Sequence, residues 1–290
     1  MTQAVSCPAP AKLNLFLHVV GRRPDGYHML QTLFRFIDLH DMLHFTLRED
    51  GALHRTSAID GVSEEQDLCM RAARLLQNET GCTLGADIAI EKRIPLGGGL
   101  GGGSSDAATT LIALNRLWSL GLPRARLMQL GLQLGADVPV FIFGKNAFAE
   151  GVGEKLQACP LQDAWYVVLF PPVQVPTARI FEHPELTRDT VSITMRALSE
   201  WQSGRTAGQK LQLHNDLQPV ACQLYPEVSR YIAWLDNFGK AMMTGSGACV
   251  FAEFASRNEA ETVLRQLPRN MRGTVAQGLA RHPLHDWVPE

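Results

Sequence analysis

The chain has 290 residues, 46% of them hydrophobic and 19% charged, with a formal net charge of −2. That balance is globular rather than disordered, suits one large domain or two of ordinary size, and supplies no basic field for nucleic acid. No run of about 18 apolar residues is present to cross a bilayer, and residues 1–11 lack the basic start and apolar core of a secretory signal.

In chain order, residues 13–20 read as a strand with Leu13, Leu15, Leu17 and Val19 on one face. The stretch Gly21-Arg22-Arg23-Pro24-Asp25-Gly26 breaks it as a loop, and β-type runs resume over 29–47. Residues 69–79 read as an amphipathic helix, and 86–91 alternate as a strand. That strand leads into Pro95-Leu96-Gly97-Gly98-Gly99-Leu100-Gly101-Gly102-Gly103-Ser104-Ser105-Asp106. Residues 107–118 follow as a helix with Ser104 or Ser105 as its expected cap, and 124–134 as a second helix. Residues 138–143 read as a buried strand, and a new apolar strand covers 165–170. The pattern loosens between the two, which divides the chain into 1–155 and 156–290. The second half carries strand–helix–strand signals, a polar tract over 187–210 with a connection at 202–210, and a strand at 249–254.

Six scattered cysteines without a C-x-x-C pair suggest free thiols in a reducing cytoplasm rather than a disulfide framework or zinc site. His40-Asp41-Met42-Leu43-His44 imitates a zinc-hydrolase motif but interrupts strand-like sequence, where that motif needs a helix. His282 and His285 are expected at the surface.

The glycine run is the main functional signal. Free N–H groups feeding a helix N-terminus suit an anion, so the run reads as a phosphate cradle. Gly97, Gly99 and Gly102 formally satisfy the dinucleotide fingerprint, which also demands an acid about twenty residues on. Residues 107–136 contain no Asp or Glu, which weakens that reading. A Walker A loop fails because Ser104, not lysine, follows Gly103. Phosphate charge must then be met by a distant cation and by a metal held on the hydroxyls of Ser104 and Ser105. On residues alone, Asp137 reads equally as a base and as a turn-capping carboxylate, and Lys12 as a solvated strand residue.

The segment Pro-Leu-Gly-Gly-Gly-Leu-Gly-Gly-Gly-Ser-Ser-Asp-Ala-Ala resembles the ATP loop of the GHMP kinases. Three further segments are similar to family motifs and stand in the family's order: Pro10-Ala11-Lys12-Leu13-Asn14-Leu15 with the loop to Tyr27-His28, Leu134-Gly135-Ala136-Asp137-Val138-Pro139, and Thr244-Gly245-Ser246-Gly247-Ala248-Cys249. The resemblance implies an α+β fold of two domains, the first like ribosomal protein S5 domain 2 and the second ferredoxin-like, with the active site in the cleft between them. It implies ATP with Mg2+ but no dedicated protein metal site, Asp137 as base and Lys12 as its partner. The loop 95–106 would hold the nucleotide, with Lys92 and Asp67 bordering adenine; Asp67 stands where the family pattern has Asn. The acceptor implied is a small molecule carrying a cytidine diphosphate group. Tyr27, His28 and Phe181 would meet its base, and Asn14, Phe34, Thr177, Gly245, Ser246 and Gly247 would lie near it. Another GHMP small-molecule kinase, or a catalytically silent member acting as a sensor, stands as an alternative; neither a nucleic-acid nor a membrane partner is expected.

Overall fold

The structure is a computed structural model that describes residues 3–24, 26–59, 61–202 and 211–290. Asp25 of the loop motif and nearly all of the expected 202–210 connection lie outside the described residues. Strands β1 (Ala4–Arg22) and β2 (His28–Arg48) form a long antiparallel hairpin. After β3 (Leu53–Arg55) and α1 (Leu68–Thr80), β4 (Gly85–Glu91) pairs antiparallel with β2 and parallel with β3. Helices α2 (Gly102–Leu117), α3 (Arg124–Leu134) and α4 (Val138–Phe143) come next, then the hairpin β5 (Ala147–Gly151) and β6 (Lys155–Ala158), whose first strand also pairs with β2.

The second half begins with β7 (Trp165–Leu169) and runs through α5 (Thr177–Phe181), α6 (Met195–Gln202), α7 (Gln218–Leu224) and α8 (Pro226–Leu235). It closes with β8 (Met242–Met243), β9 (Val250–Phe254), α9 (Arg257–Leu264) and β10 (Gly273–Leu279). Strand β10 pairs with β7 and, through Gly278 and Leu279, with β2, so the described strands join in one sheet of order β3-β4-β2-β10-β7-β9-β8. One apolar core gathers α1 to α4 against β1, β2 and β4; another gathers α5, α7, α8 and α9 against β7 and β9. The fold is α+β, and no helix among the described residues is long and apolar enough to cross a membrane.

Four expectations are corrected. Residues 138–143 are helix α4, not a strand. A six-residue apolar run has no periodicity that separates the two, and burial on all sides removes the contrast. Pro139 sits in the first turn, where its missing N–H is harmless, and Gly144 at φ 73° closes the end by donating to Val140 O. Helix α2 starts at Gly102 with Gly101 as its cap residue, so neither serine caps it. The polar positions of β1 are not on a wet face: Lys12, Asn14 and His18 are buried, as are Leu13 and Leu17. His282 and His285 are buried too, because the C-terminal tail folds back onto α3, where the Arg124 guanidinium donates to the carbonyls of Ile142, His285 and Val288.

Candidate active site

A cavity of about 980 Å³ opens between the two halves. Its floor is the loop between β4 and α2. Gly97, Gly99 and Gly101 take φ of 66°, 75° and 73°, values that exclude most side chains. Three consecutive carbonyls turn into the protein: Gly98 O accepts from Cys249 N at 3.0 Å, Gly99 O from Lys12 Nζ at 2.9 Å and Leu100 O from Lys12 N at 2.9 Å. With the carbonyls committed inward, the amide edge is the one left for a ligand. Gly101 caps α2 with no side-chain bond, so the first-turn N–H groups of Gly102, Gly103 and Ser104 are uncapped where these residues line the cavity. Such a terminus favours an anion.

Lys12 stands over this loop from β1. Its ammonium, 3% exposed, donates to Asn14 Oδ1 at 2.5 Å and to Gly99 O, and pairs with Asp137 Oδ2 at 3.3 Å. Three acceptors meet the three donors of the ammonium, which offsets its burial. Phe34 lies below, with its ring centroid 5.5 Å from Nζ. Asp137 is 37% exposed at the head of α4 and faces the cavity. Asn14 is fixed in turn: its Nδ2 donates to Thr32 Oγ1 and its backbone N–H to Thr244 Oγ1, both at 2.9 Å.

At one end of the cavity, His28 stacks on Phe181 with ring centroids 4.9 Å apart at 28°. Tyr27 beside it is 65% exposed. Burial, then Arg188 and Arg22, holds the His28 pKa below its ordinary value. At the third motif, Thr177 and Ser246 share a hydroxyl bond of 2.8 Å, and Asn215 Nδ2 holds the Gly245 carbonyl at 2.8 Å.

The cavity thus brings together Lys12, Asn14, Tyr27, His28, Phe34, Lys92, the loop from Pro95 to Ser104, Asp137, Thr177, Phe181, Gly245, Ser246 and Gly247. Three expected nucleotide residues are not in its lining. Asp67 caps α1 by accepting from Cys69 N at 2.8 Å and pairs with Arg55 at 2.9 Å. Ser105 is fully buried and donates its hydroxyl to Pro10 O at 2.7 Å, so Ser104 alone offers a hydroxyl here. Asp106 is buried against Lys92 at 2.7 Å, and Lys92 also pairs with Asp41 of β2. Burial outweighs the lysine and raises the Asp106 pKa to about 7.

Sequence reasoning missed Thr32, Leu68 and Arg188, all three of which border the cavity directly. Period-two spacing from Phe34 could have pointed to Thr32. Arg188 carried no signal, since it lies in the polar tract 187–210, where no pattern is legible.

Residues 67–145 match the family described as GHMP kinases N terminal domain, and 194–273 match GHMP kinases C terminal. The chain is 60% identical over 290 residues to a 4-diphosphocytidyl-2-C-methyl-D-erythritol kinase of Thiobacillus denitrificans, covering 100% of both chains. It is 58% identical over 289 residues to the like-named protein of Nitrosospira multiformis, covering 99% of this chain and 95% of that one. Among solved structures, a 4-(cytidine 5'-diphospho)-2C-methyl-D-erythritol kinase superposes with a TM-score of 0.80 at 35% identity, covering 94% of this chain and 99% of that one. The Methanococcus jannaschii mevalonate kinase, at 15% identity and a TM-score of 0.67 over 96% and 99% of the two chains, shares the fold.

Proposed function

The chain belongs to the GHMP kinases, and from that premise we propose that it phosphorylates the 2-hydroxyl of 4-diphosphocytidyl-2-C-methyl-D-erythritol, a step toward isoprenoid precursors. It is an ATP-dependent kinase; the identity of the acceptor and the roles of single residues belong to this proposal. The observation that carries it is the Lys12–Asp137 pair at 3.3 Å, set beside a glycine loop whose amides face the same cavity. The division into an ATP-binding part, 1–155, and a second part, 156–290, is proposed with it.

Transfer to an alcohol needs alignment, charge neutralisation and a group that takes the hydroxyl proton. Asp137 is the carboxylate in position for that proton, and it faces the cavity with enough exposure to meet an acceptor. Lys12 pairs with Asp137 and adds a fixed positive charge close to where the phosphoryl group would pass. The amides of Gly97 to Ser104 would bind the nucleotide phosphates, with Lys92 at their edge. Among the described residues no group of three or more His, Cys, Asp or Glu forms a metal site. Mg2+ would enter on the phosphates, keeping most of its waters, with the Ser104 hydroxyl as the protein donor at hand; it would offset charge on the transferred group.

Tyr27 and Phe181 supply ring faces for a cytosine and His28 an edge, while Asn14, Thr177 and the turn of Gly245, Ser246 and Gly247 lie along the route to the acceptor's other end. Phosphate transfer from labelled ATP to a panel of alcohols tests the reading. The cytidine diphosphate acceptor should be the preferred one; preference for homoserine or mevalonate would reassign the substrate within the family. ATP turnover of any kind removes the sensor alternative.

A further inference from the structure

Arg188 reaches the acceptor end of the cavity, and no motif marks it. Its guanidinium is held on several edges by carbonyls: Nη1 donates to Leu186 O at 3.0 Å and Pro184 O at 3.4 Å, and Nη2 to His183 O at 2.7 Å and Phe181 O at 3.1 Å. Its remaining donor, Nε–H, points at His28 Nε2 at 3.2 Å. A guanidinium stays charged in proteins and has no acceptor, so this bond forms only if His28 Nε2 offers a lone pair. Nδ1 then carries the proton, on a ring that is neutral, stacked on Phe181 and part of the cavity wall.

We infer that Arg188 is a positioning residue that locks His28 as the Nδ1–H tautomer and thereby makes the cleft select cytosine over uracil. The inference rests on the proposed function in taking His28 as the group that meets the base edge. The chemistry follows from the donor pattern. N3 of cytosine is a lone pair that accepts from Nδ1–H, whereas N3 of uracil carries a hydrogen and opposes it. The other tautomer would reverse the preference. The charged groups acting on the ring are Arg188 and Arg22, both cationic, and with burial they favour the neutral form.

Long-range 1H–15N correlation on histidine-labelled full-length protein reads the tautomer without any ligand, with the His28 signals assigned by their loss in His28→Gln. The expected wild-type pattern is a protonated Nδ1 and a bare Nε2, converting toward Nε2–H in Arg188→Met. The same variant should raise KM for the cytidine acceptor about 10-fold. It should also narrow the preference over the uridine analogue, with KM for ATP unchanged. Arg188→Lys, which restores a donor, should recover part of the preference.

A wild-type ring protonated on Nε2 overturns the inference outright. So does an Arg188→Met protein in which KM rises equally for both acceptors, since that is what mere loosening of the Phe181 segment would produce. If wild-type protein fails to phosphorylate the cytidine acceptor at all, the proposed function fails instead, and the tautomer is still read by the resonance experiment.

Discussion

Nζ of Lys12 lies 3.3 Å from Oδ2 of Asp137, and the two groups differ sharply in setting: the lysine side chain is 3% exposed and the carboxylate 37%. The cation is therefore a fixed element of the protein and the carboxylate the partner that faces the cavity. Replacing Lys12 with Met keeps the stem over Phe34 and removes the charge. Turnover should fall about 10²- to 10³-fold, the scale for losing one preorganised electrostatic group. Nucleotide affinity, measured by calorimetry, should change little, because the loop amides carry it.

Gly99 has φ 75°, and a Cβ there would stand 2.1 Å from the Thr244 carbonyl oxygen. Gly99→Ala should lower stability by about 1–3 kcal/mol from backbone strain alone, before the overlap is counted. Gly103, inside α2, is the control: its nearest neighbour to a new Cβ is Leu68 Cδ1 at 3.5 Å. Gly103→Ala should raise the melting temperature, since alanine is the better helix former by up to about 1 kcal/mol. Thermal unfolding of both variants checks the pair.

Tyr27 is exposed, so Tyr27→Ala should leave stability within about 0.5 kcal/mol of the parent. If its ring stacks on the acceptor's base, the loss of about 1–3 kcal/mol raises acceptor KM by roughly 5- to 150-fold. KM for ATP should stay put. Equal effects on both substrates would remove Tyr27 from the base site.

The histidine at 282 sets an acid limit on stability. Burial, then His285 and Arg124, pushes its pKa from 6.5 down to about 3. Between those values the unfolded chain binds a proton that the folded chain refuses, so stability is full above pH 6.5 and declines as pH falls. From pH 7 to pH 5 this one group should remove about 2 kcal/mol. Urea unfolding at the two pH values measures it, and His282→Gln should shrink the difference by that amount.

Much of this site was legible because its chemistry sits in short contiguous motifs. The glycine loop, Lys12-Leu13-Asn14 and the Asp137 segment each combine a backbone requirement with a functional group. Helices α1 and α3 were legible for a different reason, having one wet face each and therefore a period. Where burial is complete the period vanishes, and α4 reads like a strand. Long-range competition for polar groups was equally hidden. Nothing local says that Asp67 would be taken by Arg55 and the end of α1, or that the Ser105 hydroxyl would be spent on Pro10 O. Arg188 acts through carbonyls and a ring, partners that sequence does not place.

The central claim is that Asp137 takes the proton of the acceptor hydroxyl. Asp137→Asn keeps the shape and removes the base, so ADP release coupled to phosphorylation of the cytidine acceptor measures the claim most directly. Turnover should fall about 10²- to 10⁴-fold with ATP binding intact. Near-normal turnover in that variant would contradict the account.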